Sequence, residues 1–370
     1  MQLVINSFGS YLRRKDSNFL VKNEEKSFEV SVKKVDSILI TTSATLSTDA
    51  IKLAMDNNID LIFLDDFGDP YGRVWHSKLG STTLIRRKQL EFAQDERGLA
   101  LAAEWVGVKF SNQIDLLNRL KNSRPEKEAL LSEYIRRLEE AKIKIQNTAG
   151  TLEEKRGRLM GLEGSAGRVY FDAINFVMPD RYKFDGRSRQ PAKDEFNCLL
   201  NYGYGVLYSM VEKGCIIAGL DPYIGFIHTD NYNKKSLVFD LIEMFRILAD
   251  QTVIYLFSQR KVKQEFFDAI KGGFTLNPGG KAALIESLNE TFEKGVRYRG
   301  RNIKNRDIIQ FECHHIANEL IKGEEGAGLG RLRHTIDAAP EPGGEGVQGA
   351  GALPGAEERL PGDTQSESDG

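Results

Sequence analysis

"ALLSEYIRRLEEAKIKI", residues 129–145, decides the reading of the fold. Leu130, Tyr134, Leu138, Ala141 and Ile145 recur every three or four positions, with Arg, Lys and Glu opposite. That is the period of a long amphipathic helix. Before about residue 80 the pattern is different. "FEVSV" (28–32) alternates apolar and polar residues, and "SILITT", "DLIFLD" and "YGRVWHS" are short, β-branched or aromatic, and bounded by Gly, Asp or Asn. These read as strands. One helix interrupts them at "STDAIKLAMDNN", where Ala50, Leu53 and Ala54 follow a Ser/Thr/Asp cap.

After residue 85 helical stretches dominate: "RRKQLEFA", "ALAAEWVGVKF", "SNQIDLLNRLKN", "CLLNYGYGVLYSMVEKG", "SLVFDLIEMFRILADQTVIYLF" and "FECHHIANELIKG". The fold class is α+β. A small N-terminal β-rich domain (1–84) precedes a larger all-α domain (85–325) that carries the chemistry. The tail, 326–370, is rich in Gly, Pro, Ala and Glu, lacks apolar periodicity, and reads as disordered. It is a linker, a solubilising tail or a read-through product.

With 41% hydrophobic and 28% charged residues the chain can bury a real core. No apolar run reaches the roughly 18 residues of a membrane span, and the N-terminus lacks a secretory layout. Cys198, Cys215 and Cys313 are scattered, which fits a reducing cytoplasm. The net charge of -2 hides an asymmetry, because the acidic tail masks a net +5 over residues 1–322. A mildly basic folded part permits a polyanionic partner.

The chemistry is sought in "GFIHTDNYNKKSLVFDLIE" (225–243). Asp240 and Glu243 lie three apart on one helix, so they share a face. Alone they read as a solvated edge beside Lys234 and Lys235. His228 follows an apolar approach and alone reads as a hydrogen-bonded core residue. Glu163 changes the balance, because it sits among Gly161, Gly164 and Gly167. Each interior glycine weakens a helix by about 1 kcal/mol relative to alanine. Such a run lets a backbone or a ligand come close; the alternative is tight helix packing with an incidental Glu. One His with two or three carboxylates is a hard donor set that suits Mg²⁺ or Mn²⁺ rather than zinc. Basic clusters with interleaved aromatics surround this set, and Arg168, Arg187, Arg189, Lys234 and Arg260 are candidate DNA contacts. "ECHHIANEL" (312–320) does not read as a zinc site, since neighbouring helix positions point about 100° apart. "GGFTLNPGGK" (272–281) reads as a glycine-bearing turn that no strand feeds and no helix cap follows. His76 reads as an edge-strand residue.

Four segments together resemble CRISPR-associated protein 1, the adaptation endonuclease and integrase. They are "VKFSNQIDLLNR" (108–119), "MGLEGSAGRVYF" (160–171), "RSRQPAKDEFNCLLNYGYGVLY" (187–208) and "AGLDPYIGFIHTDNYNKKSLVFDLIE" (218–243). The resemblance spans roughly residues 1–322 and implies the same β-then-α organisation. It implies a catalytic metal site built from Glu163, His228 and Glu243. Asp240 would support the site or serve as an alternative ligand, and Tyr204 would lie nearby. It also implies a cytoplasmic prokaryotic protein that forms homodimers. These flank a dimer of CRISPR-associated protein 2 and act on double-stranded DNA, the incoming fragment and the CRISPR repeat. The tail has no counterpart in the family's pattern. The expected reaction is attack of a fragment's 3'-hydroxyl on a phosphodiester at the repeat boundary. The alternatives are a structure-specific repair nuclease on branched DNA and a catalytically silent DNA-binding scaffold.

Overall fold

The computed structural model describes residues 2–23, 26–35, 37–57, 59–65, 70–74, 83–228, 234–322 and 337–338. The period-two segments form β1 (Gln2–Ile5), β2 (Ser10–Lys15), β3 (Asn18–Lys22), β4 (Ser27–Ser31), β5 (Ser37–Ile40) and β6 (Ala44–Leu46). Helix α1 (Thr48–Asp56) then leads to β7 (Asp60–Leu64) and β8 (Pro70–Val74). One sheet runs β1-β5-β7-β8, with the first three strands parallel and β8 antiparallel to β7. The other runs β4-β3-β2-β6.

Strands β5 and β7 read as nearly continuous apolar runs because both of their faces are covered. Ile38, Ile40 and Leu61 pack into the N-terminal core with Leu3, Leu12 and Phe19. Their alternating neighbours Leu39, Ile62 and Leu64 join the core of the helical part. Charge reinforces this junction. Arg73 on β8 lies 2.7 Å from Asp60 and 3.2 Å from Glu212, which belongs to the helical part. Both parts fall within one compact unit, Met1–Ala338.

The helical part comprises α2 (Thr83–Phe92), α3 (Glu96–Asn122), α4 (Glu128–Gln146), α5 (Leu152–Val177), α6 (Glu195–Ala218) and α7 (Ser236–Ser258). After it come β9 (Phe267–Ile270), β10 (Gly273–Leu276), α8 (Pro278–Glu293), β11 (Gly295–Tyr298), β12 (Arg301–Lys304), α9 (Asn305–Lys322) and β13 (Asp337–Ala338). Helix α7 is largely buried, packed against α3, α6 and α8. Among the described residues, no helix is long and apolar enough to cross a membrane.

Several sequence expectations need correction. The two stretches between 99 and 122 are one helix, α3, started by the Asp95 side chain accepting from Arg97 N. On α4 the buried stripe is Leu131, Ile135, Leu138 and Ile145, while Leu130 is 42% exposed. The apolar arc is wide enough that a one-position shift, about 100°, keeps the same period. The helical part also carries two hairpins, β9–β10 and β11–β12. The 272–281 segment does contain a strand that feeds a capped helix, because β10 leads to Asn277, whose side chain accepts from Gly280 N. His76 and the tail, apart from β13, lie outside the described residues.

Candidate active site

Helices α5 and α7 bring Glu163 and Glu243 to one lysine, while His228 is held by Asp240. Helix α5 opens with a capping box, Thr151 with Glu154, and buries Leu159, Ala166, Tyr170 and Ile174. Glu163 lies off that buried stripe, 31% exposed. A Cβ added at Gly161, Gly164 or Gly167 would meet nothing within 4 Å. The glycines are therefore not a helix-packing seam; they keep the surface beside Glu163 low and open.

On α7 the two acids point to different partners, and neither is a solvated edge. Asp240 is fully buried and accepts from the backbone N–H groups of Phe226 (2.6 Å), Ile227 (3.0 Å) and His228 (3.0 Å). It also lies 2.6 Å from His228 Nδ1. A carboxylate at Nδ1 accepts a hydrogen bond from the Nδ1–H and leaves Nε2 as the free ring atom. The same hydrogen bond is the main reason the His228 pKa is raised; burial opposes it, and Glu243 and Glu163 add to it.

Glu243 is 8% exposed. Burial alone would raise its pKa, but Arg246 and Lys109 outweigh burial and hold it down to about 2. Arg246 Nε donates to Glu243 Oε1 at 2.9 Å. Lys109, from the inner face of α3, places its ammonium 2.6 Å from Glu243 Oε2 and also donates to Glu163. The contact to Glu243 is charge-assisted and at hydrogen-bond distance, and it helps keep the buried carboxylate ionised. Burial would lower the Lys109 pKa, yet the two carboxylates more than offset it and the value is raised. One turn on, Asn112 Nδ2 donates to Met244 O at 3.0 Å and fixes α3 against α7 beside Glu243.

Glu163 and Glu243 thus converge on one cation. Among the described residues, no three His, Cys, Asp or Glu side chains stand close enough to form a finished metal cage. The donor set still fits a hard divalent ion on three observations. Two carboxylates flank a cationic centre. Glu243 Oε2 is buried against the Lys109 ammonium rather than a fixed backbone donor. The ring of His228 is 39% exposed and held by its far nitrogen.

Tyr204 sits behind the acids. Its hydroxyl donates to Asp250 at 2.5 Å, Tyr170 donates to the other Asp250 oxygen at 2.9 Å, and Arg246 lies over the Tyr204 ring at 4.4 Å. A cleft of about 400 Å³ opens from this point, lined by Arg187, Arg189, Tyr204, Tyr208, Lys235, Phe239 and Arg246. Phe239 also packs near His228, with ring centroids 5.8 Å apart.

The candidate DNA contacts are placed unequally. Arg187 is tied to Asn197 and Asn201, lies between the Phe171 and Tyr204 rings, and has its pKa lowered chiefly by burial. Arg189 is exposed at the cleft, and Arg168 is exposed on α5 beyond Glu163. Lys234 is exposed just ahead of α7, but its neighbour Lys235 lines the cleft and pairs with Glu212 at 2.7 Å. Arg260 is exposed beyond the far end of α7, about 25 Å along the helix from Glu243 at 1.5 Å per residue. Of the 313–315 run, Cys313 is buried, His314 is exposed, and His315 lies 2.9 Å from Glu319.

Sequence reasoning missed Lys109, Arg246 and Asp250. A signal existed for Lys109, which falls one turn after Trp105 and Val106 on the apolar stripe of its helix. A lysine there is buried and must be paired.

The family model for CRISPR associated protein Cas1 matches residues 3–290. The chain is 35% identical over 337 residues to CRISPR-associated endonuclease Cas1 1 of Archaeoglobus fulgidus, covering 88% of this chain and 97% of the relative. It is 29% identical over 329 residues to CRISPR-associated endonuclease Cas1 2 of Saccharolobus solfataricus, with the same coverage. Two solved structures share the fold. A casposase bound to integration product has a TM-score of 0.76 at 22% identity, over 88% of this chain and 91% of that one. A Cas1 protein from Thermotoga maritima has a TM-score of 0.73 at 24% identity, over 87% of this chain and 97% of that one. With a family model that spans most of its length and archaeal relatives aligned nearly end to end, this chain belongs to the CRISPR-associated protein Cas1 family.

Proposed function

We propose that the protein is a metal-dependent DNA endonuclease and integrase of CRISPR adaptation, which inserts short DNA fragments into a repeat array. The observation that carries this reading is the meeting of Glu163 and Glu243 on one cation, with His228 fixed beside them and an Arg- and Tyr-lined cleft adjoining. The helical part, 85–325, is the catalytic domain. The 35%-identical relative is named an endonuclease, which accords with phosphodiester chemistry.

Glu163, His228 and Glu243 would hold Mg²⁺ or Mn²⁺, which when bound supplies a Lewis acid for phosphoryl oxygens. The chain's own residues do the rest. Asp240 keeps the His228 ring in one orientation and one tautomer. Arg246 and Lys109 keep Glu243 ionised. Arg187 and Arg189 line the cleft where a phosphate backbone would pass, and the open glycine surface of α5 lets that backbone approach Glu163. A 3'-hydroxyl attacking in line exchanges one phosphodiester for another, so no nucleotide hydrolysis is needed. Arg168 and Lys234 would contact the same duplex nearby, and Arg260 a more distant part of it. The working assembly is a pair of homodimers flanking a CRISPR-associated protein 2 dimer.

The test offers a fragment with a free 3'-OH and a supercoiled plasmid carrying a repeat. Joined products that disappear in Glu163→Ala and His228→Ala support the reading. Cleavage without joining favours a nuclease acting on branched DNA. Activities unchanged in both variants, with binding lost on basic-to-acidic changes across residues 297–306, favour a silent scaffold.

A further inference from the structure

The least expected side chain at the site is Lys109. Its position on α3 belongs to the core, between Val106 and Phe110, and it is only 7% exposed. Packing gives no reason for a lysine there, since a buried ammonium is unfavourable unless charges compensate it. Those charges are Glu163 and Glu243, delivered by two other helices. Without a cation between them the two carboxylates would repel each other in a poorly solvated place.

We propose that Lys109 is a resident counter-ion of the Glu163–Glu243 pair, one that a divalent cation displaces on entry. This rests on the reading of the site as a metal centre. Three features support displacement over a fixed structural bridge. Glu243 has a second partner in Arg246 and stays ionised and oriented when the lysine leaves. The lysine is a point charge on a flexible four-carbon stem, which withdraws by rotation of its own side chain. Glu163 is 31% exposed, so the space between the carboxylates opens toward solvent rather than into the core. Lys109 is thus a positioning residue: it holds the acids together before the ion arrives, and its competition sets how tightly the ion binds.

Calorimetric titration with Mn²⁺ of the intact wild-type chain, K109M, K109R and E163Q tests this, together with melting curves with and without Mn²⁺. K109M is expected to bind Mn²⁺ at least about tenfold tighter than wild type, the scale of effects from residues that support metal ligands. It is also expected to melt lower without the ion, and to recover more than wild type when Mn²⁺ is added. K109R keeps the charge and stays near wild-type affinity. Equal or weaker Mn²⁺ binding by K109M, with the wild type binding and E163Q not, overturns the counter-ion role and leaves the metal centre standing. Equal Mn²⁺ binding by wild type and E163Q overturns the metal centre itself. Should K109M fail to fold, lysine acetylation of the wild type mapped by mass spectrometry decides. Lys109 labelling should rise severalfold when Mn²⁺ is added, and unchanged labelling overturns the proposal.

Discussion

Asp240 grips His228 twice: one carboxylate oxygen lies 2.6 Å from the ring Nδ1 and 3.0 Å from the backbone N of the same residue. Its other oxygen takes two further backbone N–H groups. Substituting Asp240→Asn turns an acceptor into a donor facing donors, and about 1.5–3 kcal/mol of stability is expected to go for hydrogen bonds to a charged group. The loss carries a pH signature. The folded His228 pKa is raised, so its share of the stability is full below the unfolded histidine value and fades as pH rises through the folded one. The D240N deficit in urea unfolding should therefore be larger near pH ~5 than near pH ~9. The His228 titration followed by NMR should move to lower pH in the variant. A deficit independent of pH would show that the ring bond contributes nothing.

Glu243 behaves with the opposite sign. Its pKa is depressed to about 2 once the neighbouring cations outweigh burial. A depressed carboxylate stabilises the fold above its unfolded value and loses that contribution as pH falls toward the folded one. Glu243→Gln strands Lys109 and Arg246 with less compensating charge, and removing one partner of a buried pair is worth roughly 3 kcal/mol. The gap between wild type and E243Q in urea midpoint should stay constant from about pH 7 to about pH 5 and narrow below the usual glutamate pKa of about 4.3. A gap that widens on acidification contradicts this electrostatic account.

Tyr204 separates two contributions that a single truncation would merge. Tyr204→Phe removes only the hydroxyl that donates to Asp250, a buried carboxyl whose pKa burial has already raised. Tyr170 still donates to Asp250 in that variant. A loss of about 1–2 kcal/mol is expected, with DNA cleavage largely kept. Tyr204→Ala also removes the ring under Arg246, and with it the support of the arginine that orients Glu243. Cleavage is expected to fall at least about tenfold more in Y204A than in Y204F, a difference of about 1.4 kcal/mol in the barrier. Equal rates would remove the Arg246 stack from the chain of support.

How much of this was legible in the sequence depends on how local each signal is. The switch from period two to period 3.6 near residue 85 is local, and it located both parts of the fold. The exact buried stripe of α4 depended on which neighbour arrived, so Leu131 rather than Leu130 is inside. The β11–β12 hairpin was hidden because its turn, Arg299–Gly300, has positive φ at both residues but places Arg where Asn or Asp is the usual cue. At the site, Glu163, His228 and Glu243 stood out by type and context. Lys109 did not, because its meaning lies wholly in what two distant helices place beside it. Asp240 was visible as an acid near the histidine, while its hold on three successive backbone N–H groups follows only from how the 226–228 segment turns over α7.

The glycines of α5 give the sharpest contrast between stability and function. Gly161 and Gly164 lie inside a regular helix, and an added methyl at either meets nothing within 4 Å. Gly→Ala at such positions removes unfolded-state freedom, so each of G161A and G164A should raise stability by about 0.5–1 kcal/mol. Packing within the chain gives no reason to keep glycine there. A DNA backbone lying against this surface does, since a methyl would hold the phosphates off Glu163. The double variant should unfold at higher urea, while binding short duplex DNA more weakly and cleaving it more slowly than wild type. Filter binding and urea titration on the same preparation check both halves. Higher stability with DNA binding untouched would move the phosphate path away from α5.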